Sequence, residues 1–120
     1  MAEPAKANQR LARHQRITQS AQFKEAFDQQ RKWVGQFMVL WLRSGKDASL
    51  RLGVVTSKKV GAAVQRTRAR RLLREAYRRQ RSDFKGSCDV VLVGRAAILK
   101  AKWPAITDDL KNLARKAGLL

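Results

Sequence analysis

Cysteine, histidine and acidic residues are scarce in this 120-residue chain, and each shortage closes a class of function. The single cysteine, Cys88, has no partner for an internal disulfide and cannot build a zinc cluster. It opens an apolar run and reads as a small core hydrophobe. The single histidine, His14, lies in a polar segment with no Ser, Cys or carboxylate pattern beside it. Acid–base or metal chemistry carried by the protein itself is therefore not expected: no catalytic residue, no bound metal. Long apolar runs are missing too. Nothing approaches the roughly 18 consecutive apolar residues of a membrane span. The opening stretch MAEPAKANQRLARHQR has no apolar signal core. The expectation is a cytoplasmic protein without a membrane role.

What the chain has is positive charge. Lys and Arg number 27 against 9 Asp and Glu, a formal net charge of +18. Such a charge does not specify a fold, but it favours association with nucleic acid. Apolar residues make up 44% of the chain, the ordinary globular range, so a packed domain is expected rather than a basic tail. The length suits one core without disulfide or metal staples. Residues 1–15, polar and aperiodic, read as a flexible basic arm, and 16–120 as a single α/β domain.

The charge concentrates in Val64–Arg79 (VQRTRARRLLREAYRR), which holds seven arginines and one acid, Glu75. At ~100° per residue, Leu72, Ala76, Ala69, Leu73 and Tyr77 share one arc of roughly 140°, the mark of an amphipathic helix. Arg66, Arg70, Arg74 and Arg78 recur at four-residue spacing, where like charges each cost about 0.2–0.5 kcal/mol. Glu75 can offset Arg71 and Arg79, its i−4 and i+4 neighbours, which leaves that row uncompensated. A rigid array of guanidinium groups calls for an external polyanion, RNA or DNA phosphate. Lys58 and Lys59, just ahead of the helix, suit phosphate capture at its N-terminus.

Around this helix the sequence predicts a mixed order of elements. A helix with Ser20 as N-cap runs to about Gln30, with Phe23, Ala26 and Phe27 on its apolar face. Lys32–Val34 reads as a brief strand and Gln36–Arg43 as an interior one. Phe37, Val39 and Trp41 lie on one side of the latter, Met38, Leu40 and Leu42 on the other. Ser49–Ser57 is read as its antiparallel hairpin partner across the Ser44–Asp47 turn. After the arginine helix come a polar loop at Ser82–Ser87 and a strand at Cys88–Val93. A last helix begins near Trp103-Pro104 and stops at Gly118. Strand–helix–strand spacing predicts that the strands flanking the arginine helix are parallel neighbours. On the residues alone, Phe23 and Phe27 are core packing, and Trp41 is core or a stacking platform. Trp33 and Trp103 are structural. A ribosomal or other structural RNA-binding protein, or a DNA-binding module, shares these electrostatics.

A joint pattern narrows the choice. It comprises Ser57-Lys58-Lys59-Val60-Gly61, then Val64 to Arg78, with Phe23…Phe27, Val39-Leu40-Trp41, the Asp89–Val93 strand and the closing helix. In this order, over roughly 16–118, it resembles the bacterial ribonuclease P protein component. The resemblance implies an α+β fold: a two-layer α/β sandwich with an about four-stranded mixed sheet and three helices. It also implies a left-handed β-α-β crossover, ribosomal protein S5 domain 2-like, where pattern alone selects the right-handed form. It implies a protein subunit of ribonuclease P, paired 1:1 with a catalytic RNA that uses Mg2+, which removes the 5′ leader of precursor tRNA. The protein alone is not catalytic and binds no cofactor directly. By position, Lys58, Lys59, Arg66, Thr67, Arg68, Arg70, Arg71, Arg74 and Arg78 form the catalytic-RNA face. Phe23, Phe27 and Trp41 line the leader cleft. The family usually has asparagine where this chain has Thr67, and Gly-Asn where it has Gly61-Ala62.

Overall fold

A computed structural model describes residues 11–120. Chain order is α1 (Ser20–Asp28), β1 (Lys32–Val34), β2 (Met38–Arg43), β3 (Leu52–Thr56), α2 (Ala63–Gln80), β4 (Asp89–Gly94) and α3 (Trp103–Lys116). The four strands form one mixed sheet in the order β1-β2-β4-β3. β1–β2 and β2–β4 pair antiparallel, and β3–β4 pair parallel on either side of α2.

Strand alternation sorts the residues onto two faces. Leu40, Leu92 and Val54 stand in register and face the main core, built with Leu73 and Tyr77 of α2 and Leu110 of α3. Trp41, Val91 and Gly53 face the other way, toward Phe23 and Ala26 of α1. The fold is α+β, with α2 and α3 as its helical layer and the short α1 crossing the opposite face.

The expected hairpin between the second and third strands does not form, because β4 lies between them. Its residues Asp89, Val90, Val91 and Leu92 are all fully buried, so both faces need cover and the strand belongs inside the sheet. The hairpin that does form joins β1 to β2. Asp109 of α3 clamps its turn, accepting from the backbone N–H of Gln36 (3.1 Å) and of Phe37 (2.9 Å). A Cβ on Gly35 would lie 2.6 Å from that carboxylate, so any other residue there would push the clamp aside. Phe37 precedes β2 and packs on the α2–α3 core, away from the Val39 and Trp41 side where alternation placed it.

Other boundaries shift slightly. α1 is capped at Gln19, with Ser20 its first helical residue, and it ends at Asp28. Cys88 is half-buried at the start of β4, its Sγ 3.5 Å from Ser44 Oγ, and so only partly a core hydrophobe. α3 carries Pro104 in its first turn and stops before Gly118 at φ 84°, as expected. Residues 1–10 of the expected arm lie outside the described residues. Beyond them Arg13–Gln15 make a 3-10 turn, and the Ile17 N–H donates to Leu52 O at 2.8 Å on the outer edge of β3.

The end of the sheet is held by buried charge. Asp89 (0% exposed) accepts from Arg43 Nη1 and Arg51 Nη2, each at 2.8 Å, and from the backbone N–H of Ser49 and Arg51. Arg43 (3% exposed) also bonds Glu25 at 2.7 Å and Asp47 at 2.8 Å. Burial pushes the Asp89 carboxyl up, but the Arg51, Ser49 and Arg43 donors outweigh it and hold the group below its ordinary value. Among the described residues no helix is long and apolar enough to cross a membrane.

Candidate nucleic-acid interface

α2 forms where the pattern places it, and for the expected reason. Ala69, Leu73, Ala76 and Tyr77 are buried and Leu72 is half-buried, so the apolar arc lies on the sheet. Tyr77 anchors the helix through its hydroxyl, which donates to Leu50 O at 2.7 Å. At the N-terminus the Gln65 side chain folds back, its Oε1 accepting the Ala62 N–H at 2.8 Å. Gly61 leaves room for that amide, and its φ of 145° suits glycine.

The polar face of α2 then presents its arginines individually. Arg66 donates to Gly61 O at 3.0 Å, and Arg68, exposed, reaches Leu99 O at 3.4 Å. Arg70 is held by two hydroxyls, Thr56 Oγ1 at 2.9 Å and Thr67 Oγ1 at 3.2 Å. Thr67 thus fixes a neighbouring guanidinium. Arg71 is exposed and makes no ion pair among the described residues. Lys58 and Lys59 stand exposed on a 3-10 turn beside the helix start, where Ser57 Oγ accepts the Lys59 N–H.

Of the two partners expected for Glu75, Arg79 pairs with it and Arg71 does not. Its carboxylate accepts from Arg78 Nε at 2.7 Å and Arg79 Nε at 3.0 Å, and makes no bond to Arg71. The i+3 partner wins because Arg78 also bonds the second carboxylate oxygen, a bidentate pair. Arg78 is therefore committed within the helix, and among the described residues the row without an ion pair runs through Arg66, Arg70, Arg71 and Arg74. The Arg78 bond, opposed by burial and helped by Arg79, holds the Glu75 carboxyl below its ordinary value.

On the other face of the sheet, Phe27 meets Trp41 edge to face, with centroids 4.9 Å apart at 82°. Lys32 Nζ stands 5.1 Å over the Trp41 ring. Phe23 lies directly over Gly53, where a Cβ would come within 2.5 Å of its ring. All three aromatic residues are half-buried, packed below and open above. Their packing against Ile17, Ala26 and Val91 is what the core reading expects.

Arg74 links the two surfaces. It leans past the edge of β3 into a hollow shared with Phe23, Leu52, Val54, Arg13 and Arg16. Partial burial, with Arg70, Arg16 and Arg71 nearby, pulls its guanidinium below its ordinary value. No acid among the described residues lines this hollow. Arg13, Arg16 and Lys32 escaped the sequence reading. Arg16 is placed by a bridge to Leu52, and no periodic signal announces such an edge pairing.

The described residues contain no cluster of His, Cys, Asp and Glu able to hold a metal. The chemistry on offer is phosphate binding by guanidinium groups and stacking on aromatic rings.

The chain is similar to known proteins in sequence and in fold. The ribonuclease P family model matches residues 11–118. The ribonuclease P protein component of Clostridium acetobutylicum is 35% identical over 108 residues, covering 88% of this chain and 90% of that relative. The component from Xanthomonas oryzae pv. oryzae is 38% identical over 112 residues, covering 92% and 76%. Among solved structures, the Staphylococcus aureus RNase P protein superposes with a TM-score of 0.75 at 24% identity, covering 87% of this chain and 95% of that one. The Thermotoga maritima protein gives 0.73 at 24% identity, covering 83% and 96%.

Proposed function

This chain belongs to the ribonuclease P protein family, and we propose that it is the small subunit of a cytoplasmic ribonucleoprotein that removes the 5′ leader from precursor tRNA. The RNA subunit, with its Mg2+ ions, carries the chemistry, and the protein pairs with it 1:1. The observation behind this reading is the join at Arg74: an unpaired arginine face on one side, half-open aromatic rings on the other.

The division of labour follows from the groups present. Arg66, Arg68, Arg70 and Arg71, with Lys58 and Lys59, neutralise phosphates of the RNA subunit. Thr67 and Thr56 hold Arg70 in place, so less side-chain freedom is lost on binding. Phe23, Phe27 and Trp41 offer ring faces to unpaired leader bases, each stack worth about 1–3 kcal/mol. Arg74 touches both sides. With its charge reduced, the RNA subunit holds a second polyanion, the precursor, at a lower Mg2+ concentration.

The test is leader removal by a bacterial ribonuclease P RNA at limiting Mg2+, with and without this protein. The protein is expected to restore cleavage that the RNA alone performs poorly, and to cleave nothing by itself. Cleavage by purified protein without RNA, or no effect on the RNA, overturns the reading.

A further inference from the structure

Where α2 passes the start of α3, a shallow hollow is lined by Arg71, Leu72, Glu75, Arg79 and Trp103. Its floor is apolar: Leu72 and Trp103 pack on the main core yet remain half-exposed at the surface. The rim is cationic. Arg71 has no ion pair among the described residues, and the Arg79 guanidinium lies 5.7 Å from the Trp103 ring centroid. Glu75, the one acid present, is already matched by Arg78 and Arg79. A hydrophobic pit within an arginine-rich face is not accounted for by phosphate neutralisation.

An apolar floor with a cationic rim fits a flat ring that carries a phosphate. In an RNA duplex the base faces are covered by their neighbours, so only an unpaired base presents such a ring. Resting on the reading that α2 binds the RNA subunit, we propose that this hollow seats one unpaired nucleobase of that RNA. The base packs on Trp103 and Leu72, with an adjoining phosphate at Arg71. Trp103 then belongs to the interface as well as to the core, and the RNA contact extends from α2 onto the first turn of α3.

The experiment measures affinity of the full chain for a bacterial ribonuclease P RNA at one salt concentration. Trp103→Ala is expected to weaken binding about tenfold, while Trp103→Phe, which keeps a ring, stays within about threefold. A Trp103→Ala protein that stays folded and binds like the unmodified chain overturns the proposal and leaves the general RNA reading intact. Failure of the unmodified chain to bind sinks that general reading instead. Should Trp103→Ala unfold, a Trp33→Phe, Trp41→Phe chain isolates the Trp103 emission. Its quenching by iodide is expected to fall as RNA saturates the protein, and unchanged quenching contradicts the proposal.

Discussion

Arg43 and Arg51 sit at one end of the sheet, and Arg66, Arg68, Arg70 and Arg71 along α2, yet the same side chain keeps different company in the two places. Around Arg43 the structure collects Asp89, Asp47 and Glu25, and every charge there is answered inside the protein. Along the first three turns of α2 the arginines' partners among the described residues are neutral: Gly61 O, Leu99 O, Thr56 and Thr67. A cluster matched with acid stabilises the fold. A cluster held in position without acid is ready for a polyanion from outside. What separates the matched arginines from the unmatched ones in this molecule is the placement of a handful of carboxylates.

The largest expected effect comes from breaking the matched cluster. Asp89→Ala leaves Arg43 buried without its central partner and is expected to cost about 3–5 kcal/mol of stability, read as a drop in thermal midpoint. The same pair sets an acid dependence. The Asp89 carboxyl lies lower in the folded than in the unfolded chain, so its contribution is complete above the unfolded value of about 3.9. That contribution fades as pH falls through the folded value. Melting temperature should therefore decline below about pH 4, and the decline should be shallower in Asp89→Asn.

Breaking the unmatched cluster should give the reverse pattern. Arg68→Ala or Arg71→Ala is expected to change stability by less than about 0.5 kcal/mol, because neither side chain is paired with acid. Affinity for the RNA should fall by about 1–2 kcal/mol each, with the salt slope reduced by about one. Equilibrium binding at several salt concentrations and a melting curve on the same samples separate the two effects. Loss of fold in these variants erases the distinction between the clusters.

The smallest effect sharpens the comparison. Thr67→Val keeps the shape and removes one of the two hydroxyls that hold Arg70. A loss of about 0.5–1.5 kcal/mol in RNA affinity is expected, with no change in melting temperature. Arg70→Ala in the same background should then cost less than it does alone, which a double-mutant cycle reads directly.

The fold was legible where one local rule decided the outcome. The apolar arc through Ala69, Leu73, Ala76 and Tyr77 placed α2 and its buried face, and Pro104 and Gly118 bracketed α3. Strand order was not legible, because it depends on competition between strands rather than on any one of them. Ser49–Ser57 is a plausible hairpin partner for β2 until β4 is seen to need cover on both faces. The Glu75 pairing was legible for Arg79 but not for Arg78, for a related reason: spacing permits i−4, i+3 and i+4 partners, and side-chain geometry chooses among them. At the candidate site the arginines and aromatic residues were visible as types. Their meeting at Arg74, the Arg13 and Arg16 flank and the pit at Trp103 are products of the tertiary fold.

The most direct test is the salt dependence of binding to a ribonuclease P RNA, for the unmodified chain and for Arg66, Arg68, Arg70 and Arg71 all changed to Gln. For about 5–8 phosphate contacts, log affinity should fall against log salt with a slope near −4 to −7. The fourfold variant should lose about three from that slope while melting like the unmodified protein. Identical slopes for the two proteins, or a flat response from the unmodified chain, contradict the assignment of these arginines to the RNA.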